Sequence, residues 1–393
     1  MSKADRWLLP DGVEELLPPR AGYAEQLRRC LLDLYDSWGY EFVMPPLLEF
    51  TDSLLITSGR DLDLLTYKVT DQLSGRALAI RADITPQVAR IDAHSLHRDS
   101  PVRLCYAGSV LHTRAKSLLA SRSPIQVGAE LYGDTGIDSD TEIVLLMLET
   151  LRVAKLDNVT LDLGHVAIYR AIIDLAGLDS TSEQEVFDAL QRKASADLTE
   201  ILSVVPDARV RDWLQALSEL HGDESVLATA RERLQGAPAA VVAAIDELAA
   251  VARAVRARLP SVRIYFDLGE LRGYHYHTGL LFAALVPEWG EPVANGGRYD
   301  RVGAVFGRAR PATGFSTDLK ALIALGRDEQ TARPGAILAP ATGDASLWEA
   351  AQALRARGER VVFALSGQEL PDGCDRQLVP GTSGWEVVAL PAH

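Results

Sequence analysis

The segment that most constrains this chain is residues 103–133, RLCYAGSVLHTRAKSLLASRSPIQVGAELYG. Apolar side chains alternate with small or polar ones in its first and last parts, which predicts two strands joined by a loop. In the second strand, Gln126 and Glu130 lie on one face with Gly128 between them. Because alternate residues of a strand share a face, both side chains can reach a small ligand lying over Gly128. The alternative is that they simply line the solvent-exposed face of an antiparallel sheet.

Two further segments favour a ligand site over a plain sheet surface. Residues 80–87, IRADITPQ, and residues 267–279, DLGELRGYHYHTG, each add acids, an arginine or tyrosines. Charged and aromatic groups of this kind can bind the polar and ring parts of a small metabolite. Together with residues 103–133, these segments share their spacing and order with one family.

Composition limits the classes of binding partner and indicates the cellular compartment. A net charge of −14 argues against broad, nonspecific nucleic-acid binding, which normally needs a basic excess. The three cysteines, Cys30, Cys105 and Cys374, are far apart in sequence, which predicts neither a disulfide framework nor a zinc site. The chain shows no export-signal pattern and no apolar run of membrane-spanning length, so we expect a cytoplasmic protein without membrane attachment.

Local patterns predict the main elements before any family is considered. Helical periodicity, turn residues and capping patterns mark the expected starts and stops. The element predictions are a helix over 23–38, a hairpin over 66–82 turning at Ser74 and Gly75, a helix capped by Thr85, a helix opened by a capping box at 139–142, a strand over 271–285, and a helix over 314–325.

The domain organisation follows from shifts in composition. Residues 178–260 are rich in alanine, leucine and charged residues, which predicts an all-helical insertion. This insertion divides a mixed domain into a first half, 1–177, and a second half, 261–332. Residues 333–393 show a strand, a helix and a strand pattern, which predicts a small α/β C-terminal domain.

Four motifs in sequence order resemble one family. They are RADITPQVAR at 81–90, QVGAELYG at 126–133, RGYHYHTG at 272–279 and NGGRYD at 295–300. Over about residues 10–325 the chain resembles the class II aminoacyl-tRNA synthetases of the histidyl type and, more closely, their paralogues, the regulatory subunits of ATP phosphoribosyltransferase. The resemblance implies an α+β fold: a class II synthetase-like antiparallel sheet flanked by helices, with the helical insertion and the small α/β tail.

The resemblance also implies a histidine-binding site. A free amino acid needs acids for its ammonium group, a cation for its carboxylate, and a carboxylate or amide for an imidazole N–H. Asp83, Glu130 and Gln126, set against Arg272, supply these groups. His277 stands where the family usually has a second tyrosine. The residues that the family resemblance assigns to histidine are Asp83, Thr85, Gln126, Glu130, Arg272, Tyr276 and His277.

The nucleotide-binding motifs depart from the family. The motif-2 arginine and the glutamate two residues after it correspond to His112 and Arg114. In motif 3, Ala321 replaces the arginine, Lys320 the glutamate before it, and Asp318 a glycine. A largely neutral histidine and an alanine cannot clamp phosphates as two guanidinium groups do. Drift or misalignment at single positions is the alternative, but both motifs change in the same direction, which predicts a degenerate ATP site.

We therefore expect a noncatalytic regulatory subunit that forms a homodimer within a hetero-oligomer with the short-form catalytic subunit of ATP phosphoribosyltransferase. It would support the first step of histidine biosynthesis and transmit feedback inhibition by L-histidine. No cofactor or tRNA is expected. No metal is expected either, since the pairs His94 with His97 and His275 with His277 lack a suitably spaced acid. Two alternatives are an active histidyl-tRNA synthetase-like ATP-dependent ligase and a stand-alone histidine sensor.

Overall fold

The computed structural model describes residues 7–55, 60–115, 117, 120–274, 276–326, 335–365, 373–382 and 384–390, without the side chains of residues 60 and 61. The chain divides into two units, Met1–Arg327 and Asp328–His393. Within the described residues, no helix has the length and apolar character needed to cross a membrane. The predicted boundary between residues 332 and 333 lies outside the described residues, as does His275.

The strands form three sheets. In the first unit, β1, β5, β6, β12, β11, β10, β7, β9 and β8 follow one another in a nine-stranded sheet, while β2, β4 and β3 form a small sheet. The second unit has one sheet, in the order β14, β13, β15, β16. The strands are β1 (Glu41–Phe42), β2 (Leu48–Phe50), β3 (Tyr67–Thr70), β4 (Ala77–Ile80), β5 (Val102–Ser109), β6 (Ile125–Tyr132), β7 (Thr160–His165), β8 (His221–Gly222), β9 (Arg263–Asp267), β10 (Leu280–Leu285), β11 (Ala294–Arg298), β12 (Ala312–Asp318), β13 (Ala336–Ala339), β14 (Val361–Phe363), β15 (Cys374–Gly381) and β16 (Gly384–Ala389).

The described part of the chain contains thirteen α-helices, together with a π-helical stretch at Ile91–Leu96 and a 3-10 turn at Val302–Phe306. The α-helices are α1 (Arg20–Ser37), α2 (Thr51–Leu54), α3 (Arg60–Leu65), α4 (Thr85–Arg90), α5 (Ile137–Val153), α6 (Val166–Ala176), α7 (Ser180–Gln191), α8 (Ser195–Leu202), α9 (Ala208–Leu217), α10 (Ser225–Arg233), α11 (Ala239–Arg258), α12 (Leu319–Leu325) and α13 (Ala345–Ala356).

The predicted hairpin at the centre of the sheet is confirmed. β5 and β6 pair antiparallel, with Leu104 opposite Glu130 and Gly108 opposite Gln126. The other face of β6, which carries Val127 and Leu131, is buried in the main apolar core, and β6 packs against α5 and α12. Because one face packs against helices, the face of Glu130 is the one left to form a site.

A row of small residues crosses the sheet beside Glu130. In the strands next to β6, Gly314 pairs with Glu130, and Gly297 pairs with Gly314. Leu281 follows on β10 and Gly164 on β7. Paired residues share a face in an antiparallel sheet, and three of the four neighbours have no side chain. Each of these glycines is covered by another side chain: Glu130 lies over Gly314, His277 over Gly297 and Glu270 over Gly164.

Three predictions about the boundaries of the elements near the site were wrong. Residues 272–274 and Tyr276 form turns and β10 begins at Leu280, since Tyr276 and His277 both donate backbone hydrogen bonds to Gly273 O. The predicted helix over 314–325 begins only at Leu319, because the residues before it pair with β6 and β11 on both sides. Helix α5 begins two residues before the predicted capping box, with Gly136 as its N-cap.

Other predictions were incomplete. The predicted insertion contains a short strand, β8, which pairs with Phe266 and Asp267 of β9 and so is not all-helical. In the second unit, β13, α13 and β14 match the predicted pattern, but the antiparallel pair β15 and β16 was missed. Thr85 is the first residue of α4 rather than its cap, and the N-cap is Ile84. The domain boundaries predicted at 177 and 260 remain a proposal.

Candidate functional site

Glu130 lies at the centre of a buried polar cluster. Its side chain is 1% exposed. The hydroxyl groups of Thr85 and Tyr106 each donate to Glu130 Oε1 at 3.0 Å, and the hydroxyl of Tyr299 donates to Oε2. Burial raises the pKa of Glu130 to about 8, although the three donors oppose this shift. The carboxyl group is therefore a proton-carrying group near neutral pH.

Asp83 and Gln126 form a second part of the site and fix each other's orientation. Gln126 Nε2 donates to Asp83 Oδ1 at 2.8 Å, while Gln126 Oε1 accepts from the backbone N–H of Ile84 at 2.8 Å. Asp83 Oδ1 also accepts from the backbone N–H of Thr85 at 2.9 Å. The turn between β4 and α4 is thus bound to β6, which brings Asp83, Thr85, Gln126 and Glu130 together.

The space directly over Gly128 is not available to a ligand, contrary to the sequence-based prediction. A Cβ atom at Gly128 would lie 2.6 Å from Tyr106 Oη, so the Tyr106 side chain covers this glycine. The open space lies further across the sheet, in a cavity of about 350 Å³ lined by Asp83, Gln126 and Asn295 among others.

Arg272 lies at a second cavity, of about 420 Å³, and is already ion-paired. Its Nε and Nη2 atoms donate to Glu270 Oε2 at 2.9 and 2.6 Å, and Nη2 also donates to Asp162 Oδ2 at 3.2 Å. Burial raises the pKa of Asp162 to about 7, against the opposing charge of Arg272. Asp162, Glu270, Arg272 and His277 line this cavity together, so Arg272 is not an isolated cation.

Tyr276 and His277 connect the two parts of the site. The ring of Tyr276 lies 5.0 Å from the ring of Tyr299, which places it beside the Glu130 cluster. Its hydroxyl group is buried and has no hydrogen-bond partner among the described residues. His277 Nδ1 lies 3.1 Å from Gly273 O, and burial lowers the pKa of His277 to about 4. The imidazole of His277 is therefore neutral at physiological pH.

Four of the five residues that the sequence analysis assigned to the degenerate ATP site line one cavity. His112, Asp318, Lys320 and Ala321 line the same cavity as Asp83, whereas Arg114 is exposed and does not line it. His112 Nε2 lies 3.0 Å from Ala82 O. Burial raises the pKa of Asp318, which accepts hydrogen bonds from the backbone N–H groups of Ile125 and Lys320. Lys320 Nζ donates to Ser123 Oγ at 3.0 Å and lies 3.5 Å from Glu14 Oε1.

The charge of this cavity disfavours a nucleotide. Two cationic side chains, Arg20 and Lys320, line it, against four carboxylates. A triphosphate placed here would meet a net negative surface, and Coulomb repulsion between like charges is strongest where solvent is partly excluded. The four carboxylates are those of Glu14, Asp83, Glu291 and Asp318.

The two cavities are neighbouring parts of one groove. Glu291, Pro292 and Asn295 line both of them. Asn295 pairs with Ser316 on one side and Ala283 on the other, so small side chains form the floor between the cavities. The groove runs from Asp83 to Arg272.

Four residues of the site were not predicted from the sequence: Tyr106, Asp162, Glu270 and Tyr299. Two of them carried a usable signal. Tyr106 alternates in phase with Leu104, which pairs with Glu130, and Tyr299 follows Gly297 by two residues in NGGRYD. Asp162 and Glu270 gave no such signal, because their role depends on contacts with Arg272 across the fold.

The His94–His97 and His275–His277 pairs have HxxH and HxH spacings, which also occur in metal sites. Among the described residues, no group of three or more His, Cys, Asp or Glu side chains is placed to hold a metal ion. His97 is the C-cap of the π-helical stretch, and its Nδ1 lies 2.9 Å from Ala93 O.

Known protein families match this chain over most of its length. The profile of the family described as histidyl-tRNA synthetase matches residues 12–322, and that of the ATP phosphoribosyltransferase subunit HisZ C-terminal domain matches residues 334–388. Proteins from Pseudomonas aeruginosa and Pseudomonas syringae pv. tomato, both named ATP phosphoribosyltransferase regulatory subunit, are 55% and 54% identical to this chain. Each alignment covers 99% of this chain and 100% of the relative.

Solved structures share the fold. A crystal structure of an ATP phosphoribosyltransferase regulatory subunit/histidyl-tRNA synthetase from Bacillus halodurans has a TM-score of 0.82 and 25% identity, covering 93% of this chain and 95% of that chain. Histidyl-tRNA synthetase from a Nostoc species has a TM-score of 0.77 and 18% identity, covering 98% of this chain and 97% of that chain.

These structural neighbours confirm the predicted class II synthetase-like α+β fold. The full-length relatives and the two family profiles confirm the resemblance on which the sequence analysis relied. On this evidence the chain belongs to the family of ATP phosphoribosyltransferase regulatory subunits.

Proposed function

We propose that this chain is a noncatalytic regulatory subunit that binds L-histidine and activates the short-form catalytic subunit of ATP phosphoribosyltransferase, in the first step of histidine biosynthesis. The observation that carries the proposal is a contrast between two neighbouring regions. Asp83, Gln126 and Glu130 make an ordered set of polar contacts. The cavity that Asp83 and Gln126 help to line also has Ala321 and His112, where phosphate-binding arginines would be needed.

The chemistry of the groove suits an amino acid with an N–H-bearing ring. Asp83 offers a carboxylate to an ammonium group, and charge-assisted hydrogen bonds of this kind are among the strongest in proteins. Glu130 and the hydroxyl of Tyr276 do not line either cavity, but they offer partners for an imidazole that reaches the buried cluster behind the groove. Arg272 offers a guanidinium to a carboxylate, although Glu270 and Asp162 reduce its net charge.

Feedback inhibition requires more than binding. Histidine shifts the complex toward an inactive arrangement only if it binds that arrangement more tightly than the active one. A difference of 1.4 kcal/mol in binding free energy corresponds to about a ten-fold difference in affinity. We propose that the groove supplies this difference, so that the chain activates the catalytic subunit without histidine and inhibits it with histidine.

The proposal includes a homodimer formed through α1 and β1. β1 lies at one edge of the nine-stranded sheet, where Glu41 and Phe42 pair with β5. Phe42 and Met44 are 39% and 82% exposed, which provides apolar surface beside an edge strand. Surfaces of this kind are suited to association with a second chain.

The competing function is an active histidyl-tRNA synthetase-like ligase. Arg20 and Lys320 favour it to some degree, because they place two cations at the nucleotide cavity. The two functions differ in whether the chain alone can form an aminoacyl-adenylate. The regulatory proposal includes no tRNA step.

Two assays separate the functions. We expect the purified chain to catalyse no histidine-dependent pyrophosphate exchange, and to raise the rate of phosphoribosyl transfer by the short catalytic subunit. We expect added histidine to reduce that rate, and Glu130→Ala to remove the histidine effect while leaving activation intact. Robust exchange by the chain alone would favour the ligase. An unchanged transfer rate with and without the chain would reject the regulatory function.

A further inference from the structure

The loop that carries Tyr276 and His277 is held by a residue outside the groove. Arg170 lies on α6, and its Nη2 atom donates to the carbonyl oxygen of Tyr274 at 3.1 Å and to that of His277 at 3.1 Å. One guanidinium nitrogen therefore binds both ends of the short segment that contains Tyr276. The guanidinium carbon also lies 5.0 Å from the centre of the Tyr274 ring.

Tyr274 anchors the same segment by packing. Its ring contacts Tyr169 of α6 edge-to-face at 5.2 Å and Phe187 of α7 at 5.7 Å. Tyr274 is 9% exposed, so the ring is largely removed from water. Aromatic pairs of this geometry contribute beyond their buried area. Tyr274 thus points away from the cluster to which Tyr276 contributes.

The loop turns sharply at Gly273, and backbone hydrogen bonds from Tyr274 N to Leu271 O and from Thr278 N to Arg298 O anchor its outer residues. Tyr276 and His277 each donate a backbone hydrogen bond at 2.8 Å to the same carbonyl, that of Gly273. Gly273 has a φ of +64°, and a Cβ atom there would lie 2.5 Å from the His277 ring. Only a residue without a side chain fits this turn, and such a turn is flexible unless other groups hold it.

From these contacts we infer that Arg170 is a positioning residue for the ligand: it holds the turn that places Tyr276 beside Tyr299 and the Glu130 cluster. Arg170 does not line either cavity, so its effect on binding passes through the loop. A turn that must be ordered at the moment of binding reduces affinity, because the ordering free energy is subtracted from the contact free energy. This inference rests on the proposed function, since it takes L-histidine as the ligand.

The test compares Arg170→Met with a matched control, Arg211→Met. Arg211 Nη1 also donates to two backbone carbonyls, those of Val205 and Pro206, but it lies in the insertion, outside the residues that line the groove. Calorimetry with L-histidine and amide hydrogen exchange of residues 271–277 are measured on the full chain. We expect Arg170→Met to weaken histidine binding at least ten-fold and to speed exchange at Tyr276 and His277, whereas Arg211→Met changes neither.

A conservative substitution at Arg170 distinguishes a positioning role of this residue from a general loss of stability. Arg170→Lys retains N–H donors and is expected to recover part of the lost affinity, with a melting temperature close to that of Arg170→Met. Histidine affinity of Arg170→Met within two-fold of the wild type, or exchange as slow as in the wild type, overturns the inference. If the wild-type chain itself binds no histidine, the proposed ligand is wrong, and the positioning role of Arg170 is then decided by the exchange rates alone.

Discussion

The hydroxyl group of Tyr299 donates a hydrogen bond to Glu130 Oε2, and this contact closes the inner end of the site. The described residues that line the two cavities do not include Glu130, which is 1% exposed. An imidazole that is to reach the Glu130 carboxyl group must therefore displace Tyr299 or Tyr276, whose rings lie 5.0 Å apart. The carboxyl group is satisfied internally until a ligand replaces one of its donors.

Removal of the Tyr299 hydroxyl group should destabilise the fold. We expect Tyr299→Phe to lower the free energy of unfolding by about 1–3 kcal/mol, because Glu130 Oε2 is left buried without its donor. Urea denaturation measures this change. Tyr265→Phe is the matched control, since the Tyr265 hydroxyl binds the exposed His221 and should contribute less than about 0.5 kcal/mol. Equal effects of the two substitutions would contradict the prediction.

Removal of either acid should weaken histidine binding. We expect Glu130→Ala and Asp83→Ala each to cost about 2–4 kcal/mol of binding free energy, because the ligand loses a buried charged or hydrogen-bonding partner. Isothermal calorimetry with L-histidine measures the change, and Glu200→Ala, on an exposed position of α8, serves as the control. If both groove variants keep the wild-type affinity, histidine binds elsewhere, such as at a subunit interface.

The protonation of Glu130 should make stability depend on pH. Its pKa is about 8 in the folded chain, above the ordinary value of 4.5, so the folded state retains a proton that the unfolded state has released. The stabilisation is complete below pH 4.5 and is lost as the pH rises towards 8. We expect the free energy of unfolding of the wild type, relative to that of Glu130→Gln, to fall across this range. A constant difference between the two curves would show that Glu130 does not titrate there.

The glycine beneath Tyr106 should not tolerate a side chain. A Cβ atom at Gly128 would lie 2.4 Å from Phe315 O, which is backbone and cannot move aside readily. We expect Gly128→Ala to cost about 1–3 kcal/mol of unfolding free energy. Gly22→Ala in α1 has nothing within 4 Å of the new Cβ atom and should stabilise the chain by roughly 0.5–1 kcal/mol. Chemical denaturation of both variants tests whether the signs differ.

The dimer surface can be tested by charge. Placing an acid at Met44, beside the exposed Phe42, should prevent apolar association at this edge of the sheet. We expect Met44→Asp to sediment as a monomer under conditions in which the wild type is a dimer. Val204→Asp, at another exposed apolar position in the insertion, should leave the dimer intact. Dissociation by both variants, or by neither, would reject β1 as the dimer surface.

Periodicity was sufficient to predict the elements in which one face is buried. The β5–β6 hairpin and the helix α1 both alternate apolar residues with small, polar or charged ones at the period of their structure. Strand β12 lacks this alternation, because Gly314, Ser316 and Thr317 are small or polar although neighbours on both sides bury them. β8 has only two residues, too few for any pattern.

Local sequence patterns could also indicate which residues of one part of the site lie close together. Asp83, Gln126 and Glu130 lie close together because strand pairing and one turn fix them, and the motifs mark both. The partners of Arg272 come from β7 and from the loop after β9, and no local pattern links these segments. Local patterns therefore mark Asp83, Gln126 and Glu130, whereas the ion pairs of Arg272 depend on contacts between segments distant in sequence.

Strand β8 determines how the chain would respond to truncation. It covers the outer edge of the nine-stranded sheet, and its backbone pairs with Phe266 and Asp267 of β9. A shortened protein lacking residues 178–260 would keep the groove residues, yet it would present the bare amide and carbonyl groups of β9 to other molecules. Unpaired strand edges recruit further strands. Such a minimal core would be expected to polymerise, so the insertion also protects solubility.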